Sequence, residues 1–137
     1  MKLLDKLIGR KVNSRPICSA IITAAGSSSR MGGENKLLIM LDGIPVLART
    51  LLAVDSACLV DEIVIAVRES DLLEAAELCR VYGIRKPVKI VRGGESRLDS
   101  VLSAALECRT DAAFLAVHDG ARPLIDGEFF EDRKSVV

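Results

Sequence analysis

The sequence predicts an α/β domain, a Rossmann-like and mostly parallel sheet with helices on both faces, and three observations carry that prediction. Half of the 137 residues are hydrophobic but only 3% are aromatic, so Ala, Leu, Val and Ile must build the core. Buried parallel strands covered by helices have this aliphatic composition. Short β-branched runs alternate with amphipathic stretches along the chain. Glycine- and charge-rich links follow three of the apolar runs, where an open parallel sheet places its ligands. The length suits one domain with a real core and not two.

The elements follow in order. Met1–Arg15 places Leu3, Leu4, Leu7 and Ile8 on one helical face, with Lys and Arg on the other. Two turns are too few to anchor stably at a membrane surface, so residues 1–15 read as an amphipathic segment that packs on the domain or frays. Pro16 separates it from a first strand, Ile17–Thr23, which stops abruptly at Ala24-Ala25-Gly26. Leu37–Leu41 reads as a short extended piece, and Asp42-Gly43 as a turn. Pro45 suits a helix first turn, with Val46, Leu47, Thr50, Leu51 and Val54 as the buried stripe. A second strand is predicted over Ile63–Val67. Ser70 is the expected cap of a helix over Asp71–Tyr82, which Gly83 ends. A third strand, Val88–Val91, runs into Arg92–Arg97, and a helix over Leu98–Cys108 follows with Val101, Leu102, Ala105 and Leu106 inward. A fourth strand, Ala112–Val117, ends at His118-Asp119-Gly120-Ala121-Arg122-Pro123.

Composition narrows the function classes. The 19 basic and 19 acidic residues cancel, which argues against binding nucleic acid or an anionic membrane through bulk charge. No run reaches membrane-spanning length, and the amino terminus lacks a signal peptide's apolar core. Cys18, Cys58, Cys79 and Cys108 are scattered in apolar contexts, without a C-x-x-C and with a single histidine. This argues against zinc and for buried, reduced thiols in a cytoplasmic protein.

Three loops carry the chemistry. After strand one come Gly26, three serines, Arg30, two glycines and Lys36, a loop that offers backbone N–H groups, hydroxyls and two cations to one point. Phosphate is the group that needs all three. Gly93, Gly94 and Ser100 follow strand three, and Asp119 and Arg122 follow strand four. Parallel strands bring these loops to one edge of the sheet. A dinucleotide fingerprint fails, because the positions from Gly26 read G-S-S-S-R-M. A P-loop fails at Glu34-Asn35-Lys36. What remains is a tight loop with Arg30 and Lys36 for a triphosphate and Asp119 for Mg²⁺, a cation that takes one or two carboxylates plus phosphate oxygens. Nucleotidyl transfer fits these parts. Taken singly, each residue has a plainer reading. Arg30 and Lys36 could be solvated, Asp119 could tighten a turn, and His118 could be a satisfied, partly buried imidazole. Arg97 and Asp99 are expected to pair or to cap the helix start, not to touch ligand.

Three segments, A-A-G-S-S-S-R-M…N-K at 24–36, G-G-E-S-R-L-D-S-V at 93–101 and V-H-D-G-A-R-P at 117–123, resemble successive motifs of the 2-C-methyl-D-erythritol 4-phosphate cytidylyltransferase family. The resemblance spans roughly residues 17–125. It implies the nucleotide-diphospho-sugar transferase type of fold and a Mg²⁺-dependent transfer of CMP from CTP to a polyol phosphate in non-mevalonate isoprenoid synthesis. Residue by residue, it implies that Ala24, Ala25 and Gly26 line the nucleotide and that Ser28 joins them, standing where the family often has a second glycine. Arg30 and Lys36 would hold the triphosphate and stabilise the transition state. Gly94, Glu95 and Ser100 would contact cytosine and ribose, Asp119 would hold Mg²⁺, and Arg122 would support the phosphate side. Asn35 replaces a frequent Pro and Gly120 a frequent Ala, both compatible with tight turns.

The acceptor is read as methylerythritol phosphate, with ribitol 5-phosphate as the nearest alternative, a sugar phosphate or molybdopterin as more distant ones, and a non-catalytic nucleotide-binding remnant from a different class. Family members continue well beyond the third motif, into a dimer arm and the residues that grip the acceptor. The expectation is therefore a C-terminally truncated chain, with residues 16–131 as the nucleotide-binding part, little catalysis of its own, and a homodimer for the complete enzyme. Asp132–Val137 also matches a translated sequencing adapter (GAT-CGG-AAG-AGC-GTC-GTG) and reads as a non-native tail.

Overall fold

The computed structural model describes residues 15–26, 30–31 and 34–122, those at 30–31 and 34–36 as backbone only. Strand β1 (Ile17–Ala24) is followed by two short hairpins, β2 (Arg30–Met31) with β3 (Glu34–Asn35) and β4 (Met40–Leu41) with β5 (Ile44–Pro45). Helix α1 (Val46–Ser56), β6 (Glu62–Val67), α2 (Leu72–Val81), β7 (Val88–Arg92), α3 (Arg97–Glu107) and β8 (Ala112–Asp119) complete the described chain. The main sheet has the order β7-β6-β1-β8, and its three pairings are all parallel.

The chain thus moves one way across the sheet from β1 to β6 to β7, then reverses past β1 to β8. Right-handed crossovers then require α3 to lie on the opposite face from α1 and α2. The two cores show that it does. On one face Leu47, Leu51 and Val54 of α1 and Ala75 of α2 pack with Cys18, Ala20, Ile22, Ile63 and Ile65. On the other, Ala104 and Cys108 pack with Ile21, Val64 and Ala66. Successive residues of a strand face opposite sides, so β1 and β6 read as continuous apolar runs. Each fully buried Ile contributes about 1.5–3 kcal/mol relative to exposure.

Helix α1 starts as the sequence predicts. Asp42 and Gly43 both have positive φ, 53° and 80°, which closes the β4–β5 turn. Pro45 is the N-cap of α1, and all five residues of the predicted stripe are buried. The stretch 37–41 is only partly extended, because Lys36–Leu38 forms a 3₁₀ turn that buries Leu37.

Other expectations are corrected. Ser70 caps nothing, because Glu69–Asp71 is a 3₁₀ turn that feeds α2 directly. Helix α3 does not turn its leucines inward: Ser100 and Ala104 are its buried residues, while Leu102 and Leu106 are 53% and 85% exposed. Small side chains let the helix backbone approach the sheet, and the leucines at four-residue spacing stand on the far side. Cys58 lies exposed in the turn after α1, so the four thiols are not uniformly buried.

The amino ends of the strands are tied by carboxylates. Asp61 accepts two hydrogen bonds from the Arg15 guanidinium, at 2.6 and 3.0 Å, and another from the Cys18 amide at 2.9 Å. Buried Glu62 accepts from the Ser19 hydroxyl at 2.5 Å and the Arg109 amide at 2.6 Å. A carboxylate at 2% exposure is tolerated only when so paired. These contacts hold β1, β6 and the start of β8 together at the edge away from the glycine-rich loops.

Desolvation pushes the Cys108 thiol up, and burial followed by the nearby Asp55 charge does the same to Cys79. Thiolate is the reactive form. An aromatic disulfide reagent at pH 8 is therefore expected to modify Cys58 first and to reach Cys18 and Cys108 only on unfolding. Rapid labelling of all four thiols in the native protein would contradict this packing.

Candidate nucleotide site

The reversal of strand order falls between β1 and β8, and the crevice beyond their carboxyl ends is where open α/β sheets bind ligands. Register aligns the ends: Ala24 pairs with Val67, Val67 with Arg92, and Thr23 with Asp119. The residues that follow, Ala25, Arg68, Gly93 and Gly120, therefore leave the sheet side by side.

Two of the loops touch because one has no side chain. A Cβ on Gly93 would lie 2.4 Å from the Ala25 Cβ and 2.8 Å from the Ser100 Oγ. A Cβ on Gly94 would lie 2.3 Å from the Asp99 Cβ. The Ser100 hydroxyl sits under this turn, 3.1 Å from the Gly94 amide, which donates to it, and 3.4 Å from the Gly94 carbonyl. Ser96 Oγ caps α3 by accepting from the Asp99 amide at 3.0 Å. The expected capping by Arg97 or Asp99 side chains is thereby replaced.

The third loop is fastened from α1. Buried Thr50 Oγ1 lies 3.1 Å from the carbonyls of both Gly120 and Arg122. The Gly120 amide donates to Thr23 O at 2.9 Å, and the Asp119 carboxylate accepts from the Ala121 amide at 2.9 Å. His118 is buried, as expected, with Nε2 3.5 Å from the Arg122 carbonyl. Arg97, Val117, His118, Asp119 and Arg122 line an open cleft of about 150 Å³. Two arginines and one aspartate are thus among the residues that line it. Arg97, expected only to pair or to cap, is one of the lining residues.

Of the residues singled out from sequence, Ala24, Ala25 and Ser100 are buried, Gly26, Glu95 and Arg122 are exposed, and Gly94 and Asp119 are intermediate. The backbone pairs Arg30 with Asn35, and Lys36 follows that pair directly at the start of the 3₁₀ turn. Their side chains, and Ser28, lie outside the described residues. Sequence reasoning missed Arg68, Thr50 and Thr23. Arg68 was legible as the first charged residue after a strand, but only strands one, three and four were credited with site loops.

Comparison with known proteins extends this geometry. Residues 18–135 match the 2-C-methyl-D-erythritol 4-phosphate cytidylyltransferase family. The chain belongs to that family. A cytidylyltransferase of that name from Dehalococcoides mccartyi is 45% identical over 107 residues, covering 78% of this chain and 47% of the relative. One from Bacillus thuringiensis is 39% identical over 115 residues, covering 82% and 50%. The crystal structure of 4-diphosphocytidyl-2C-methyl-D-erythritol synthase from Anaerococcus prevotii superposes with a TM-score of 0.73 at 29% identity, covering 85% of this chain and 48% of that one. The chain spans about half the length of the curated cytidylyltransferases it matches. Its parallel sheet with helices on both faces is the fold of those family members.

The packing at Gly94 has a direct consequence. Gly94→Ala forces a methyl group against the Asp99 Cβ, and such overpacking costs about 1–3 kcal/mol. The expected result is a lower denaturant midpoint with an unchanged slope. An unaltered midpoint would show that the turn relaxes freely.

Proposed function

We propose that this chain carries the nucleotide-binding half of a cytidylyltransferase that transfers CMP from CTP to 2-C-methyl-D-erythritol 4-phosphate in non-mevalonate isoprenoid synthesis. The observation that supports the reading best is the alignment of three loops, at 24–26, 93–100 and 119–122, on one carboxyl edge of the sheet. In the reaction an oxygen of the acceptor phosphate attacks the α-phosphorus of CTP, the bond to the β-phosphate oxygen breaks, and pyrophosphate leaves. Little covalent work falls to the protein; positioning and charge neutralisation carry the rate.

Ala24, Ala25, Gly26 and Ser28 would line the nucleotide. Gly94 and Glu95 would meet cytosine and ribose, with buried Ser100 contributing through the turn it shapes. Arg30 and Lys36 would hold the triphosphate and meet charge that grows as the bond breaks, and Arg122 would support the phosphate side. Asp119 suits Mg²⁺ as a hard oxygen donor on the cleft wall. A hard divalent cation of this kind takes one or two carboxylates and fills the rest of its shell with phosphate oxygens and water. Mg²⁺ held there would offset triphosphate charge. The complete enzyme would be a homodimer. No helix among the described residues is long and apolar enough to cross a membrane.

In a version extended to the family's full length, Lys36→Ala is expected to lower kcat by a factor of hundreds while circular dichroism stays native, since one such contact is worth roughly 3–4 kcal/mol. Asp119→Asn is expected to abolish the response of turnover to Mg²⁺. Assays with CTP against ATP, and with methylerythritol against ribitol phosphate, check the substrates. Wild-type turnover in the Lys36 variant, or indifference to the base, would remove the assignment.

A further inference from the structure

Arg68 directly follows β6 and belongs to none of the three motif segments. Its guanidinium donates from Nε to the Ala25 carbonyl at 3.3 Å and from Nη2 to the Gly26 carbonyl at 3.2 Å. The preceding residue acts on the neighbouring loop: the Val67 carbonyl accepts the Gly93 amide at 2.8 Å. Two consecutive residues at the end of β6 therefore hold the first and second loops, whose own contact is the Gly93–Ala25 approach.

We propose that Arg68 is the positioning residue of the first nucleotide loop, setting the peptide planes at Ala25 and Gly26 through its two-pronged contact. The inference rests on the reading of residues 24–26 as the nucleotide's lining. A trans peptide is planar, so its carbonyl and amide hydrogen point to opposite sides. With the Ala25 carbonyl turned towards Arg68, the Gly26 amide hydrogen is directed away from β6. Glycine samples many backbone states, and a loop that must be ordered at the moment of binding loses affinity. Arg68 removes that cost in advance without touching a reacting atom. Lysine cannot replace it, because an ammonium is a point charge without the planar fork.

The test uses this chain, with CTP and Mg²⁺ as the probe. Carbonyl ¹³C shifts of Ala25 and Gly26 report the two hydrogen bonds without any ligand, and calorimetry reports the CTP Kd. Arg68→Ala is expected to move both shifts upfield and to weaken CTP about tenfold. Arg68→Lys, which keeps the charge and stem, is expected to behave like Arg68→Ala and carries the comparison if the alanine variant does not fold. Arg49→Ala is the control, since Arg49 makes the same kind of contact to the Leu41 carbonyl, at 2.9 Å, away from these loops; its CTP affinity should match wild type. Unmoved carbonyl shifts, unchanged CTP affinity, or full recovery in Arg68→Lys would overturn the proposal. A wild-type chain that ignores CTP would remove the functional reading, while the shifts would still decide whether Arg68 orders the loop.

Discussion

The constraint on which the rest depends is the burial of β1. It lies between β6 and β8 with every side chain from Cys18 to Ala24 buried, so no charged group can sit along it. Burying an unpaired charge there would cost several kcal/mol. Polar chemistry is displaced to the strand ends, and because all four strands run the same way, the two ends acquire different tasks. The amino edge is fastened by paired carboxylates, Asp61 on Arg15 and Glu62 on Ser19. The carboxyl edge carries the loops.

Those loops approach each other through missing side chains. Gly93 against Ala25, Gly94 against Asp99, and Gly120 against Ile22 and Leu47 are all positions where a Cβ would meet a neighbour within 3.2 Å. Hydroxyls then fix what the glycines permit: Ser100 beneath the Gly94 turn and Thr50 across the Gly120 and Arg122 carbonyls. The result is a backbone cradle held by a packed scaffold, which suits a reaction in which the protein mainly positions phosphates.

Much of this was legible in the sequence. Aliphatic runs, the Asp42-Gly43 turn and the α1 stripe each follow from local chemistry that the structure repeats. The shared edge of the three loops was legible because each follows a strand of a parallel sheet. The inward face of α3 was not. Of the stripe Val101, Leu102, Ala105 and Leu106, Ala105 does pack on the second core, yet close packing against the sheet buries Ser100 and Ala104 and leaves both leucines exposed, a choice hydrophobicity alone does not report. Arg68 escaped notice because its partners are backbone carbonyls 43 and 42 residues away, which no side-chain pattern encodes. Thr50 was assigned to the buried stripe correctly, but its hydroxyl's grip on the third loop needed the tertiary fold.

The proposed function requires one edge of one sheet to form a single site for a cytidine triphosphate. The most direct measurement is an amide ¹H–¹⁵N titration of this chain with CTP and Mg²⁺. Saturable shifts are expected at Ala24–Gly26, Gly93–Ser100 and His118–Arg122, with one shared Kd and with Asp61, Glu62 and Arg109 unmoved. Shifts clustered at the opposite edge, or three loops titrating with unrelated affinities, would contradict it.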